Sequence, residues 1–108
     1  MAVDLSKLSN AKVKAAITAL QNGDLKSWFP LFSENVAFSE DGNQMQFTNF
    51  FKKAFGHERF INIDKVEDNG LSVYGDFHSD QWGDFKTAFK FQLDKSGKIN
   101  RLDIGQIF

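Results

Sequence analysis

Between Asp84 and Ile107 apolar and polar residues alternate with a period of two, interrupted once by Asp94-Lys95-Ser96-Gly97-Lys98. Phe85, Thr87, Phe89, Phe91 and Leu93 share one face, and Lys86, Ala88, Lys90 and Gln92 share the other. After the turn, Leu102, Ile104 and Gln106 fall together, opposite Arg101, Asp103 and Gly105. The pattern predicts two long antiparallel strands with an apolar row that the upstream chain must cover.

Upstream the period changes. Val13, Ala16, Ile17 and Leu20 recur at helical spacing, which predicts a helix over Asp4 to Gln21 stopped by Gly23. Asp24 is placed to cap a second helix, Leu25 to Phe32, with Leu25, Trp28, Phe29 and Phe32 on one face and Pro30 bending or ending it. Asn35 to Ser39 reads as a short strand, and Glu40-Asp41-Gly42-Asn43 as a turn. Phe47, Phe50, Phe51, Ala54 and Phe55 predict a third small helix that reads as a lid over an apolar space. From Arg59 the chain reads as strands, reversing at Asp68-Asn69-Gly70 and at Gln81-Trp82-Gly83. Four long strands and the short early one, all expected antiparallel from their connection lengths, make an α+β domain over residues 1–108 with helices on one face of a curved sheet.

Composition narrows the function classes. Thirteen phenylalanines stand against one tyrosine and two tryptophans, an excess of bulk without polar handles that implies a large apolar interior or cavity. A formal net charge of -1 with no long run of one sign removes the electrostatic footprint of nucleic-acid binding. The absence of cysteine excludes disulfides and thiolate chemistry. The N-terminal residues lack the pattern of a secretion signal and no apolar run approaches a membrane span, so a cytoplasmic protein without membrane attachment is expected.

Gly23-Asp24-Leu25, then Leu31 through Glu40, and then Phe91 through Ile99 resemble the cone-shaped fold shared by nuclear transport factor 2, ketosteroid isomerase and the SnoaL-type polyketide cyclases. The resemblance spans nearly the whole chain. It implies a curved sheet wrapped around a long helix, a pocket at one end of the cone, and a homodimer through the outer sheet face. In the isomerase branch the general base follows the short strand, where this sequence has Glu40. That branch also uses a tyrosine on the first helix and a protonated aspartate on the penultimate strand as donors to the enolate oxygen. Ala16 and Phe89 stand at those positions, and neither can donate. The cyclase branch keeps an inward aspartate on the last strand. Asp103 is one residue out of step, so Ile104 takes the inward place and Asp103 is expected outside beside Arg101.

The other polar candidates have ordinary alternatives. Glu40 sits in a turn cluster, where a carboxylate is normally exposed. His57 and His78 are far apart in sequence and do not make a metal site, with His78 expected on the outer face. Trp28 and Trp82 could cradle a flat ligand or belong to the core. Gln106, on the inward face, is the polar group expected to orient a ligand. The sequence therefore predicts an apolar pocket for a small hydrophobic or aromatic molecule, lined by Trp28, Phe32, Phe38, Phe51, Phe89, Phe91, Leu102, Ile104 and Gln106, with no cofactor. The alternatives are a cyclase, isomerase or lyase using Glu40, and a structural dimer whose cone is filled by its own side chains.

Overall fold

Asn10 sets the start of the first helix. In the computed structural model, which describes residues 3–107, its side chain accepts hydrogen bonds from the backbone N–H groups of Lys12 and Val13 at 2.9 and 3.1 Å. Helix α1 therefore runs Ala11–Asn22, seven residues shorter at its start than the apolar spacing predicts, because the cap satisfies N–H groups that a longer helix would bond internally. It ends at Gly23, whose φ of 64° is the left-handed conformation that closes helices. Asp24 caps helix α2, Leu25–Trp28, and Pro30 then sits in a single tight turn, Phe29–Leu31. The predicted helix to Phe32 is cut short there, and Phe32 already belongs to a strand. Helix α3, Phe47–Ala54, turns Phe47, Phe51 and Ala54 inward, as its spacing predicts.

Six strands form one sheet: β1 (Phe32–Glu40), β2 (Asn43–Gln44), β3 (Glu58–Glu67), β4 (Ser72–Ser79), β5 (Gly83–Leu93) and β6 (Ile99–Gln106). Their order is β2-β1-β6-β5-β4-β3. The three hairpin pairings of β3 through β6 are antiparallel at the predicted turns. The early strand is both longer than predicted and parallel to β6, with Phe38 beside Leu102 and Glu40 beside Ile104. The expectation of an entirely antiparallel sheet fails at this pair. Only strands joined by a tight turn are forced antiparallel, and α3 and four strands separate β1 from β6 in the chain.

The helix side of the sheet carries the core. Phe38, Phe60, Val73, Phe77, Phe89, Phe91 and Leu102 are buried there with the inner stripe of α1, Trp28 and the inner face of α3. The outer side is a lattice of charges: Lys86 pairs with Asp64 and Asp76 at 2.8 and 2.9 Å, and Arg101 with Asp103 at 2.8 Å. Ala88 is buried in the middle of this polar face.

Strand β3 is one edge of the sheet, opposite the two-residue β2, and two features blunt it. Its register slips twice against β4, so its free edge is irregular. The side chain of Gln21 also both donates to and accepts from the backbone of Phe60, at 2.9 and 2.7 Å, and Lys7 Nζ donates to the Ile63 carbonyl at 3.0 Å. Where the irregular strand crosses β4, Gly75 is obligatory: a Cβ there would lie 2.1 Å from the backbone oxygen of Asn62.

Candidate functional site

At one end of the sheet the last residue of β1, the end of α3, the first residues of β3 and the β4–β5 turn surround a recess of about 590 Å³. Its walls are Glu40, Phe50, Lys53, Ala54, His57, Glu58, Ser79, Asp80, Gln81 and Trp82. Each arrives for a local reason. Glu40 is two residues beyond buried Phe38 on the same strand and so takes the same, helix-side direction. Phe50 lies one residue before the fully inward Phe51 on α3, half-buried, with its ring 4.9 Å from those of both Phe38 and Phe51. Glu58 opens β3 opposite Ser79, whose hydroxyl donates to Glu58 Oε2 at 3.4 Å. Ser79 Oγ in turn accepts from the backbone N–H groups of Gln81 and Trp82, both at 3.3 Å, shaping the turn that presents the Trp82 indole. That indole is 73 % exposed.

The two glutamates share this end. Partial burial raises the Glu40 carboxyl above the ordinary carboxylate range, with the charge of Asp41 adding to the shift. Glu58 is raised as well, first by burial and then by the charge of Glu40, against the opposing pull of the Ser79 hydroxyl and His57. These are half-buried acceptors whose ionised forms are poorly compensated.

The rim turn is held by histidine. His78 Nδ1 lies 2.7 Å from Asp84 Oδ1 and its Nε2 lies 2.7 Å from Asp80 Oδ1, while His57 Nδ1 meets Asp80 Oδ2 at 3.1 Å. Carboxylates only accept, so both His78 nitrogens must carry protons for the two contacts to be hydrogen bonds. The Asp84 and Asp80 bonds accordingly raise the His78 imidazole. His78 is on the outer side of β4, as the alternation predicts. Among the described residues no group of three or more His, Asp and Glu could hold a metal ion.

The residues predicted to line a pocket divide. Trp28, Phe32, Phe38, Phe51, Phe89, Phe91 and Leu102 do converge on one interior, and all are buried. Their own rings occupy it: Trp28 lies 4.7 Å from Phe32 and 4.8 Å from Phe51, Phe47 lies 4.6 Å from Phe32, and Phe89 lies 6.2 Å from Phe91. Ile104 is partly buried against this core. Gln106 departs from expectation and stands exposed. Its backbone N–H donates to Asp41 Oδ1 at 2.8 Å. Trp82 is at the rim rather than in the core.

Glu40 is the candidate whose ordinary alternative fails, since it ends a strand facing a recess instead of lying in an open turn. Glu58 was missed by sequence reasoning, as were Phe50 and Lys53 as site residues. The available signal was the register of the β3–β4 hairpin: counting back from Asp68-Asn69-Gly70 pairs the start of β3 with the end of β4. Asp103 lies outside, bonded to Arg101 and to the Ser39 hydroxyl. Its partial burial works to raise the carboxyl, but the Arg101 and Ser39 hydrogen bonds outweigh burial and hold it low. Ala16 and Phe89, at the donor positions of the isomerase branch, are both sealed in the core.

Solved structures share this architecture. The chain is similar to an NTF2-like protein of unknown function from Cytophaga hutchinsonii, with a TM-score of 0.72 at 18% identity over 89% of this chain and 87% of that one. It is similar to a candidate polyketide cyclase from Pseudomonas putida, with a TM-score of 0.64 at 21% identity over 89% of each chain. It is also similar to the Orange Carotenoid Protein of Anabaena binding canthaxanthin, with a TM-score of 0.74 at 19% identity over 96% of this chain. The match spans only 38% of the length of that carotenoid protein. The fold is thus the NTF2-like, cystatin-like cone: helices packed on a mixed curved sheet. The sequence matches no family model and no curated protein.

Proposed function

We propose that this domain binds a small hydrophobic or aromatic molecule at the open end of the cone, with Phe50 and Trp82 as its apolar contacts and Glu40 and Glu58 as its polar ones. The observation that carries the reading is the recess itself. It is in the size range of small-molecule sites, it combines aromatic wall with a few convergent polar groups, and it exposes a tryptophan that the core does not use. The buried rings of Phe38 and Phe51 back Phe50 directly, and behind them Trp28, Phe32, Phe89, Phe91 and Leu102, with Ile104, belong to the core. The carotenoid protein supports the reading only at the level of fold, since one fold hosts many sites.

A thermal-shift screen against small aromatic and hydrophobic molecules tests it. Binders should raise the melting temperature of the wild type, and Trp82→Ala or Phe50→Ala should abolish the shift. If no compound acts through these residues, the domain is a structural cone filled by its own side chains.

The raised Glu40 carboxyl favours a second reading, a lyase, cyclase or isomerase with Glu40 as general base. Loss of turnover in Glu40→Gln, with ligand binding retained, would select it. We further propose a homodimer through the outer sheet face, where both signs of charge alternate around Tyr74 and Ala88. Light scattering at micromolar concentration that returned a mass near 12.3 kDa would defeat it.

A further inference from the structure

The recess supports a sharper assignment of ligand class, which rests on the binding function proposed above. The ion pairs of the described residues engage Asp64, Glu67, Asp76, Asp80, Asp84 and Asp103; neither Glu40 nor Glu58 forms one. Among the described residues the one side-chain hydrogen bond to Glu58 is the long Ser79 contact, and the Glu40 side chain accepts none. The other charged groups at the recess come from three elements: Lys53 from α3, His57 from the loop before β3, and Asp80 from the β4–β5 turn. Asp80 is already committed to His57 and His78, and Asp41 follows Glu40 along the chain. Two half-buried carboxylates, able only to accept, therefore share one concavity with an exposed indole and a phenyl ring.

We infer that the recess takes an organic cation of the arylalkylamine class, its ammonium bonded to Glu40 and Glu58 and its ring set against Phe50 and Trp82. An ammonium supplies several donors to acceptor-only groups in charge-assisted hydrogen bonds. It offsets the repulsion that Glu40 exerts on Glu58, and a ring beside it extends the apolar contact. A neutral alcohol supplies a single uncharged donor, and a carboxylate ligand meets like charge. Because both glutamates must be ionised, affinity falls as pH drops through their raised range.

The test is an NMR titration of the ¹⁵N-labelled chain with 2-phenylethylamine, 2-phenylethanol and 3-phenylpropionate at neutral pH. The amine should shift the amides of Glu58 and Ser79 and the Trp82 indole, binding roughly tenfold more tightly than the alcohol, as expected for hydrogen bonds to charged groups. The propionate should not shift them. Glu40→Gln and Glu58→Gln should each bring the amine down toward the alcohol while melting no lower than wild type, which excludes unfolding. Equal binding of amine and alcohol at these residues, or stronger binding of the propionate, overturns the cation assignment and leaves the binding function standing. Amine shifts confined to the outer acidic residues Asp64 and Asp76 also overturn the assignment. If none of the three probes, and none of the thermal-shift compounds, acts on the recess, both readings fall.

Discussion

His78 and Asp84 stand opposite one another across the β4–β5 ladder, with Nδ1 and Oδ1 2.7 Å apart. The contact ties the two arms of the hairpin whose turn carries Trp82, and Asp80 grips the second nitrogen of the same ring. Because these bonds raise the imidazole in the folded state above its unfolded value of about 6.5, their stabilisation is complete below that value and is lost as pH rises through the folded one. NMR titration of the ring protons should give a midpoint above that of free histidine. The melting temperature of the wild type should fall more steeply than that of His78→Gln across this interval. A midpoint at or below the free value would mean that the clamp is not formed in solution.

Glu58→Gln should raise the melting temperature at neutral pH. The Glu58 carboxyl is raised, so the folded state favours the protonated form, and the wild type loses stability as pH rises from the ordinary carboxylate range through the raised value. The amide does not titrate, so the advantage of the variant should vanish at about pH 4, near the unfolded pKa of glutamate. A variant less stable than wild type at pH 7 would show that the Ser79 contact outweighs burial.

Phe89 is 1 % exposed and its ring meets Phe60, Phe77 and Phe91 at 4.9, 5.4 and 6.2 Å. In an interior filled this closely, Phe89→Ala should cost about 3 to 5 kcal/mol by urea denaturation. A loss below about 1 kcal/mol would point to an interior that is already open.

Trp28 separates packing from hydrogen bonding. It is fully buried among phenyl rings, and its Nε1 has no partner among the described residues. Trp28→Phe therefore gives up volume but no hydrogen bond and should cost well under half of what Trp28→Ala costs, about 3 to 5 kcal/mol for the alanine. Equal losses would imply that the indole N–H is bonded in solution.

Gly75→Ala should destabilise by about 3 kcal/mol or more, because the methyl group meets the Asn62 backbone, which cannot swing aside as a side chain would. Gly42→Ala is the control: nothing lies within 4 Å of its Cβ, so only the positive φ of 83° is penalised. Equal effects in chemical denaturation would mean that β3 relaxes away from β4.

The local elements were determined by sequence alone because their causes are local. Alternation from Phe85 to Leu93 decided which residues of β5 face the helices, and Asp68-Asn69-Gly70 set the first hairpin. Phe47, Phe51 and Ala54 faced inward because helical spacing leaves them no alternative. The order of motifs was sufficient to place the chain among cone folds. What depended on pairing between distant segments was decided by the tertiary structure. The direction of β1 beside β6 is set by no turn, and although alternation gives Glu40 the face of Phe38, the recess it meets there exists only where β1 is laid against the end of α3 and the β4–β5 turn. Gln106 stands exposed although its ladder partner Thr87 is fully buried, an outcome that alternation alone did not decide. Glu58 gained its role only when hairpin register and the end of β1 brought it within range of Glu40. For Glu58 the raised carboxyl comes from enclosure and from the charge of Glu40, distant in sequence, whereas at Glu40 only the smaller cause, the charge of Asp41, is written in an adjacent residue.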